Sequence, residues 1–233
     1  MAELKDHALL LRRIPYSDTS LVCHFLTQQH GRVSLMARGA RRAKSPFRAA
    51  LAPLYALDIS WRPGRTGMGT LVDIDRREKL LDEALDLNGL ELCAVASGLF
   101  QEGDPHGYEE VLEAIGMMQH CPTSSALYVA IWKLLSLSGW VGDFGHCWHC
   151  AEAVDEALAM NWHACQLACN ACGKGMAISA GMRKGITAQF VDSDVGSNVR
   201  LSKNDLLCWQ RMIQDVLKQH GLKALSIINE ELS

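Results

Sequence analysis

The stretch HALLLRRIPYSDTSLVCHFLT, residues 7–27, contains two short apolar runs separated by a turn. Both runs are rich in Leu, Val and Phe, and residues 15–18 between them are turn-forming types. Three more runs of this kind follow, at residues 32–37, 53–61 and 70–75. Five short strands so close together predict a small closed β-barrel.

Among small barrels, the OB-fold is the one that commonly binds nucleic acid, through a strand face and its flanking loops. We therefore expect an N-terminal five-stranded OB-fold, with residues 38–48 in the long connection between its third and fourth strands. From residue 76 onward the apolar spacing becomes helical, at residues 79–101, 108–120, 123–137 and 203–219, with a short last helix from Lys223. The expected class is α+β with several domains.

Charge is distributed unevenly along the chain. Residues 1–65 hold eleven Lys and Arg against four Asp and Glu, whereas the remainder holds twelve against twenty-two. No carboxylate lies between Asp18 and Asp58. A basic segment without interspersed acids keeps a strong positive potential for phosphate, so we expect it to face nucleic acid. The candidate DNA contacts in this segment are Arg32, Arg38, Arg41, Arg42, Lys44 and Arg48.

Aromatic side chains that could stack on bases are few in the predicted barrel. Phe25 and Tyr55 lie within apolar strand runs and are expected mainly in the core, as is Trp61. Phe47, next to Arg48 in the basic segment, is the better stacking candidate, and Tyr16 lies in a turn. Contacts with the phosphate backbone of the nucleic acid should therefore dominate over contacts with the bases.

Two Cys-x-x-Cys pairs, Cys147/Cys150 and Cys169/Cys172, have the spacing of a tetrahedral thiolate site for zinc. Four Cys ligands would fill the coordination sphere, so such an ion stabilises a small loop-rich lobe and performs no chemistry. Disulfides, a redox dithiol, an iron–sulfur cluster or simple buried thiols are the alternatives. A neighbouring residue can also replace a nominal ligand, the candidates being Cys165, His146, His149 and His163.

Nine cysteines, an odd number, together with no signal-like apolar start and no long apolar run, indicate a cytoplasmic protein without a membrane segment. The motifs of several enzyme classes are missing: a P-loop, a His-Glu-x-x-His helix and the signature of zinc deaminases. No acid, base and nucleophile set stands out either, so we expect no enzyme. A zinc-lobed nucleic-acid-modifying enzyme and an RNA-binding zinc-ribbon protein of translation or transcription are the alternative functions.

An ordered set of segments resembles the RecO recombination mediators of bacterial DNA repair. The segments are HALLLRRIPYSDTSL at residues 7–21, HGRVSLMARGARR at 30–42, ALAPL at 50–54 and LLSLSGW at 134–140, with the cysteines following. The resemblance spans nearly the whole chain. It implies an OB-fold domain at residues 1–76, a helical domain at 77–145 that resumes at 177–233, and an inserted zinc lobe at 146–176.

The resemblance also implies a function and partners. Proteins of this family bind single- and double-stranded DNA, anneal complementary strands, contact the C-terminal tail of single-strand DNA-binding protein (SSB), and work with RecR to load RecA. It implies a location in the cytoplasm at the nucleoid. The DNA role is carried onto the six basic residues above, with Arg12 and Arg13 as additional candidates. No residues are assigned to the SSB tail, since cations are few around residues 128–133.

Overall fold

The computed structural model describes residues 2–65, 67–120, 125–142, 144–191, 201–223 and 225. The chain divides into two compact units, residues 1–115 and 116–233. The domain boundaries expected from the sequence stay a prediction, and the last helix expected from Lys223 onward lies outside the described residues. Within the described part of the chain, every helix is too short or too polar to cross a membrane.

The first unit contains the predicted five-stranded barrel. Its strands are β1 (Leu4–Pro15), β2 (Leu21–Thr27), β3 (Gly31–Ala37), β4 (Tyr55–Arg62) and β5 (Gly69–Lys79). They close in the order β1-β2-β3-β5-β4, with β4 pairing back onto β1. This closed barrel confirms the OB-fold prediction.

Closure depends on one short parallel pairing, between β3 and β5, where Leu35 lies opposite Gly69. A Cβ atom on Gly69 would lie 2.8 Å from Cδ2 of Leu35 and 3.0 Å from the carbonyl oxygen of Arg62. A methyl group here would therefore require Leu35 and the Arg62 carbonyl to shift, and glycine lets the two strands approach without that shift.

The barrel interior is apolar, and a bulge in β1 marks where that interior ends. Leu10, Phe25 and Leu57 are among its fully buried side chains. The register of β1 against β2 shifts between Leu10 and Arg12, and the strand is exposed at Arg12 and beyond. A bulge adds one residue and re-aims the side chains after it. The two arginines that follow therefore face solvent.

The connection between β3 and β4 is long, as predicted, and contains one short helix, α1 (Phe47–Ala50). After the barrel come a 3₁₀ turn (Glu83–Leu85), helix α2 (Asp86–Leu99) and helix α3 (Tyr108–His120). Helix α2 packs on β1 and covers its outer apolar side chains, so that Leu9 and Leu11 are buried as well.

The second unit surrounds an aromatic core. Its elements are α4 (Ala126–Leu137), β6 (Met160–His163), β7 (Gln166–Ala168), β8 (Met176–Ile178), α5 (Ala180–Val191) and α6 (Lys203–Gln219). Trp132 of α4 and Trp209 of α6 are fully buried, with ring centres 6.3 Å apart. Helix α6 begins where the sequence predicts, because Ser202 and Asp205 form a reciprocal capping box.

Two features of the second unit were not predicted from the sequence. Strands β6, β7 and β8 form a three-stranded sheet in the order β7-β6-β8, and each strand is only three or four residues long. Runs this short show no usable alternation of apolar residues. No helix was predicted between the cysteines and residue 203, yet α5 occupies Ala180–Val191. Its two glycines, Gly181 and Gly185, weaken the helical pattern.

Candidate nucleic-acid interface and metal centre

A groove of about 270 Å³ opens beside the connection between β3 and β4. Three guanidinium groups line it, those of Arg13, Arg41 and Arg48, together with Phe47. The fold thus brings a residue of β1 next to two residues of the basic loop, defined here as residues 38–48. Phe47 is half-buried against the barrel core and forms part of the groove wall.

Hydrogen bonds to backbone oxygens hold two of these arginines in place. Arg13 donates from Nη1 to the Leu51 carbonyl at 2.7 Å, and Arg41 donates from Nη1 to the Ser17 carbonyl at 2.6 Å. The Arg41 amide also donates to the Thr19 carbonyl at 2.9 Å, which ties the basic loop to the β1–β2 turn. A guanidinium carries five N–H donors, so both side chains keep donors for a phosphate.

The other predicted contacts of the basic loop lie on its outside. Arg38, Arg42 and Lys44 are exposed, and Arg42 folds back over Gly39. Gly39 has a φ of +71°, the left-handed conformation that reverses the chain at this point. Cations on both sides of the loop can therefore meet a polyanion.

Arg32 occupies a different environment. Its Nη1 donates to the carbonyls of Ser97 and Phe100, each at 2.8 Å, and the side chain is half-buried. A cation at the last carbonyls of a helix is favourable because it satisfies them and complements the helix dipole. Arg32 thus fastens the end of α2 to the barrel, and its role as a DNA contact stays a prediction.

Arg12 is exposed on β1, opposite His24 on β2. Burial, and after it the positive charges of Arg32 and then Arg12, lower the pKa of His24, while Glu102 opposes this shift. Arg12 and Arg32 therefore form a second, smaller group of cations in which His24 is neutral at physiological pH.

The five aromatic residues of the barrel region separate clearly. Phe25 and Trp61 are buried in the barrel core, as expected. Tyr55 lies under the guanidinium of Arg76, 4.7 Å from its ring centre. Phe47 in the groove and Tyr16, which is 67% exposed, are the two within reach of a ligand.

A cavity of about 610 Å³ between β1, β4 and β5 was not anticipated, and it is acidic. Its carboxylates belong to Glu3, Asp6, Asp58, Asp73 and Asp75. Four of them lie on three strands and Glu3 directly precedes β1, so only the barrel fold assembles them. Glu3 pairs with Arg62 and Asp58 with Arg77, and Lys5 also lines the cavity, so this side of the barrel is less acidic than its carboxylates alone suggest.

The four cysteines of the predicted metal site converge. The sulfur atoms of Cys147, Cys150, Cys169 and Cys172 all lie within 4.8 Å of one another. Four thiolates around one zinc ion, at Zn–S distances of about 2.3 Å, lie about 3.8 Å apart, so the group needs only a small contraction. The structure therefore provides a four-thiolate group that can hold a metal ion.

Local hydrogen bonds shape this centre. The Ala151 amide donates to the Cys147 carbonyl at 2.8 Å and the Cys172 amide to the Cys169 carbonyl at 3.1 Å, which closes both Cys-x-x-Cys turns. The Cys169 amide donates to the Cys147 sulfur at 3.3 Å. Backbone N–H groups of Cys169 and Cys150 lower the pKa of the Cys147 thiol to about 6. Hydrogen bonds with the Cys169 and Cys150 thiols raise the pKa of Cys172 to about 12. The backbone N–H groups therefore favour the metal-binding thiolate form at Cys147 and not throughout the group.

The neighbouring candidate ligands stand apart from this four-sulfur group. Cys165 lies in the turn between β6 and β7, and neither it nor His146, His149 or His163 belongs to the group. Cys23 and Cys93, distant in sequence, are buried, and burial raises the pKa of each to about 12. These two thiols are part of the apolar packing.

Comparison with known proteins identifies the family. The model of the N-terminal part of recombination protein O matches residues 1–77, and that of its C-terminal part matches residues 89–226. The chain belongs to the RecO family. Its function accordingly lies in DNA repair and recombination, and the family is one of DNA repair mediators.

Individual relatives are named DNA repair protein RecO. The chain is 30% identical over 171 residues to the DNA repair protein RecO of Vibrio atlanticus, covering 70% of this chain and 69% of the relative. It is 31% identical over 170 residues to that of Vibrio parahaemolyticus, covering 69% and 68%. A shorter match, 46% over 70 residues, relates it to RecO of Laribacter hongkongensis, covering 30% and 28%.

Proposed function

We propose that this RecO protein binds single- and double-stranded DNA through the basic loop of its OB-fold and anneals complementary strands. In the cell it would act with RecR to load RecA onto DNA coated with SSB. The observation that carries the DNA-binding part is the groove where Arg13, Arg41 and Arg48 surround Phe47. The family supports the mediator part.

Binding would be driven mainly by phosphate contacts. The basic loop presents Arg38, Arg41, Arg42, Lys44 and Arg48, and no carboxylate lies in the chain between Asp18 and Asp58. Each phosphate neutralised by a cation releases condensed counterions, which favours binding at low salt. Arg13 and Arg41 are already oriented by their carbonyl contacts, so little side-chain entropy is lost on binding.

Annealing follows from the same electrostatics. Two complementary strands repel each other through their phosphates, and cations on a shared protein surface lower that repulsion. Base pairing then supplies the driving force, and no bond is made or broken in the nucleotides. We therefore propose a non-enzymatic mediator without catalytic residues.

The four-cysteine group would hold a structural zinc ion. Cys147, Cys150, Cys169 and Cys172 supply four thiolates and leave no position for water or substrate. The ion would cross-link the two Cys-x-x-Cys turns of a lobe whose strands are only three or four residues long.

RecR and the C-terminal tail of SSB are the proposed protein partners, with RecA engaged indirectly. The proposal rests on the family alone, and it assigns no residues to these contacts.

The experiment that tests this function is fluorescence-monitored annealing of complementary oligonucleotides, bare and SSB-coated, at two salt concentrations. Neither nucleotide nor divalent metal is added. We expect salt-sensitive acceleration on both substrates. Binding without annealing would contradict the mediator function, and tighter binding of RNA than of DNA of equal sequence would indicate an RNA-binding protein.

The double variant Arg41→Ala/Arg42→Ala tests the basic loop. We expect weaker binding to every DNA sequence and a salt dependence shallower by about 0.7 in log–log slope for each lost contact on single strands. A matched control removes two exposed cations of the second unit, in Lys184→Ala/Arg211→Ala. Equal slopes for wild type and the loop variant would remove these arginines from the interface.

A further inference from the structure

A second cavity, of about 360 Å³, lies within the second unit beside the cysteine lobe. Four aromatic side chains line it, those of Trp140, Phe144, Trp148 and Trp162. Trp148 is 55% exposed, although it is a large apolar residue. Sites for small flat ligands are concave and mostly apolar, with a few polar groups to orient the ligand, and this cavity has that character.

The polar groups in the cavity are amides and imidazoles. They belong to His146, Gln166, Gln219 and His220, and none of the described lining residues is Asp, Glu, Lys or Arg. His220 already stacks on Trp140, with ring centres 3.7 Å apart and planes inclined by 19°. The cavity thus combines flat aromatic faces with amide and imidazole edges.

The fold holds these walls in place from several directions. Trp148 lies inside the first Cys-x-x-Cys turn, and its amide donates to the Leu167 carbonyl at 3.0 Å. Trp162 donates from Nε1 to Asp215 on α6 at 3.1 Å. The β6–β7 turn that borders the cavity places Ala164 and Cys165 at φ +49° and +62°. Non-glycine residues take this conformation at a cost, so the turn is tightly held.

We propose that this cavity is a binding site for an unpaired base of single-stranded DNA, with the base stacked on Trp148. Every base has a π-face, so stacking on tryptophan suits DNA of any sequence. Imidazole and amide groups can hydrogen-bond to a base edge, whereas the charged phosphates remain outside in water. The site deepens the proposed DNA-binding function, on which it rests.

The charge of the lining favours a base over an acidic peptide. A peptide that carries carboxylates would need Lys or Arg at the site, and the described lining has neither. A base is neutral and flat and needs no counter-charge. The second unit would therefore recognise unpaired bases, whereas the basic loop of the barrel contacts phosphates of paired and unpaired strands alike.

The test compares an ordinary oligonucleotide with one of equal length whose sugars lack bases over an internal stretch. Wild-type protein and Trp148→Ala are titrated with both, and with a blunt duplex, at one salt concentration. We expect Trp148→Ala to bind the ordinary strand about tenfold more weakly than wild type does. Binding to the abasic strand and the duplex should stay unchanged, because neither offers an unpaired base to the cavity.

Two further variants control for folding and for chemistry. Leu158→Ala removes another exposed apolar side chain of the same lobe, 56% exposed, and should bind like wild type. Trp148→Phe keeps an aromatic face and should recover most of the lost affinity. Each variant should keep the metal content and circular dichroism of wild type.

The outcomes separate this site from the basic loop. If Trp148→Ala binds ordinary single strands as tightly as wild type while Arg41→Ala/Arg42→Ala weakens them, the base site is wrong and the DNA-binding function stands. If wild type binds no DNA, both are wrong. If Trp148→Ala instead loses affinity only for a peptide of the SSB tail, the cavity is a peptide site and the base proposal is overturned.

Discussion

The barrel and the cysteine lobe are ordered by different forces. In the barrel, long strands make a closed hydrogen-bonded ladder around a dry core that includes Leu10, Phe25 and Leu57. In the lobe, strands of three or four residues each bury one or two side chains, such as Met160, Trp162 and Ile178, and four sulfur atoms converge to within 4.8 Å. We therefore expect surface cations of the barrel to change without loss of the fold, and the lobe to depend strongly on its four cysteines.

The two regions also differ in charge and in the ligand chemistry they offer. Residues 1–65 carry an excess of Lys and Arg, and the remainder an excess of Asp and Glu. The barrel offers arginines beside Phe47, whereas the lobe contributes Trp148 to an aromatic cavity whose described lining has no Asp, Glu, Lys or Arg. The proposed annealing requires that strands be held and still released for pairing, and it would benefit from contacts of both kinds, since only the phosphate contacts are strongly salt-dependent.

The largest effect is expected from removing two metal ligands. Cys169→Ser/Cys172→Ser should abolish metal binding, because two thiolates cannot hold the ion in a closed tetrahedral site. The lobe should then unfold while the barrel remains intact. Metal analysis of the purified protein and limited proteolysis, with cleavage expected between residues 146 and 178, measure the two parts of this outcome.

The control for that variant is Cys165→Ser, which alters a thiol of the same lobe outside the four-sulfur group. It should keep the metal. Loss of metal from Cys165→Ser would show that Cys165 is a ligand. Cleavage within the barrel of Cys169→Ser/Cys172→Ser would show that the two regions do not depend on separate forces.

A smaller effect, on the barrel side, is expected from Gly31→Ala. Gly31 has a φ of +62°, and a Cβ atom there would lie 1.6 Å from the carbonyl oxygen of Asp104. Backbone must move to accommodate the methyl group, so we expect a loss of more than about 2 kcal/mol in the free energy of unfolding. Denaturant unfolding measures it.

Gly103→Ala is the matched comparison for Gly31→Ala. Gly103 is also left-handed, with φ +84°, but no atom lies within 4 Å of its added Cβ. Gly103→Ala should lower the free energy of unfolding by only about 1 kcal/mol, because alanine is disfavoured in the left-handed conformation by about this amount. Equal losses for the two variants would mean that backbone conformation, and not the close approach to Asp104, makes Gly31 necessary.

The smallest expected effect concerns pH. Burial, then Arg32 and Arg12, lower the pKa of His24 from 6.5, so the folded protein binds this proton less readily than the unfolded chain does. The stability should therefore fall as the pH drops below 6.5 and level off below the folded pKa. His24→Gln should remove this pH dependence. The loss in the free energy of unfolding that it removes should be below about 1 kcal/mol, because His24 is partly exposed.

Unfolding of wild type and His24→Gln between pH 7 and pH 5, at low and high salt, measures the pH effect. High salt should reduce the share that comes from the two arginines. Parallel stability curves for the two proteins would show that neither burial nor the neighbouring cations lower the pKa of His24 in the folded protein.

Features with strong local signals were predicted well. The five barrel strands and helices such as α3 at Tyr108–His120 follow from apolar spacing and turn residues, although β5 continues to Lys79, past residue 76, where the spacing was expected to become helical. The start of α6 follows from Ser202 and Asp205, which are three residues apart. The strands β6 to β8 and helix α5 could not be predicted, because short strands and a helix with two glycines carry a weak pattern.

The candidate site was predicted only as a set of residue types. The basic loop was recognised from its missing carboxylates, but nothing in the sequence shows that Arg13 joins Arg41 and Arg48 in one groove. Nor does it show that Arg32 is engaged with the carbonyls of Ser97 and Phe100. These relations join residues far apart in the chain, and their distances depend on the closed barrel.

By itself the sequence determined the two Cys-x-x-Cys pairs, the strand pattern and the basic segment, because each depends on neighbours a few residues apart. The tertiary structure alone decided how the barrel closes, through the parallel pairing of β3 with β5. It also decided which side chains meet in the basic groove, the acidic cavity and the aromatic cavity. The reason is physical: spacing along the chain sets local geometry, but only packing brings distant residues into contact.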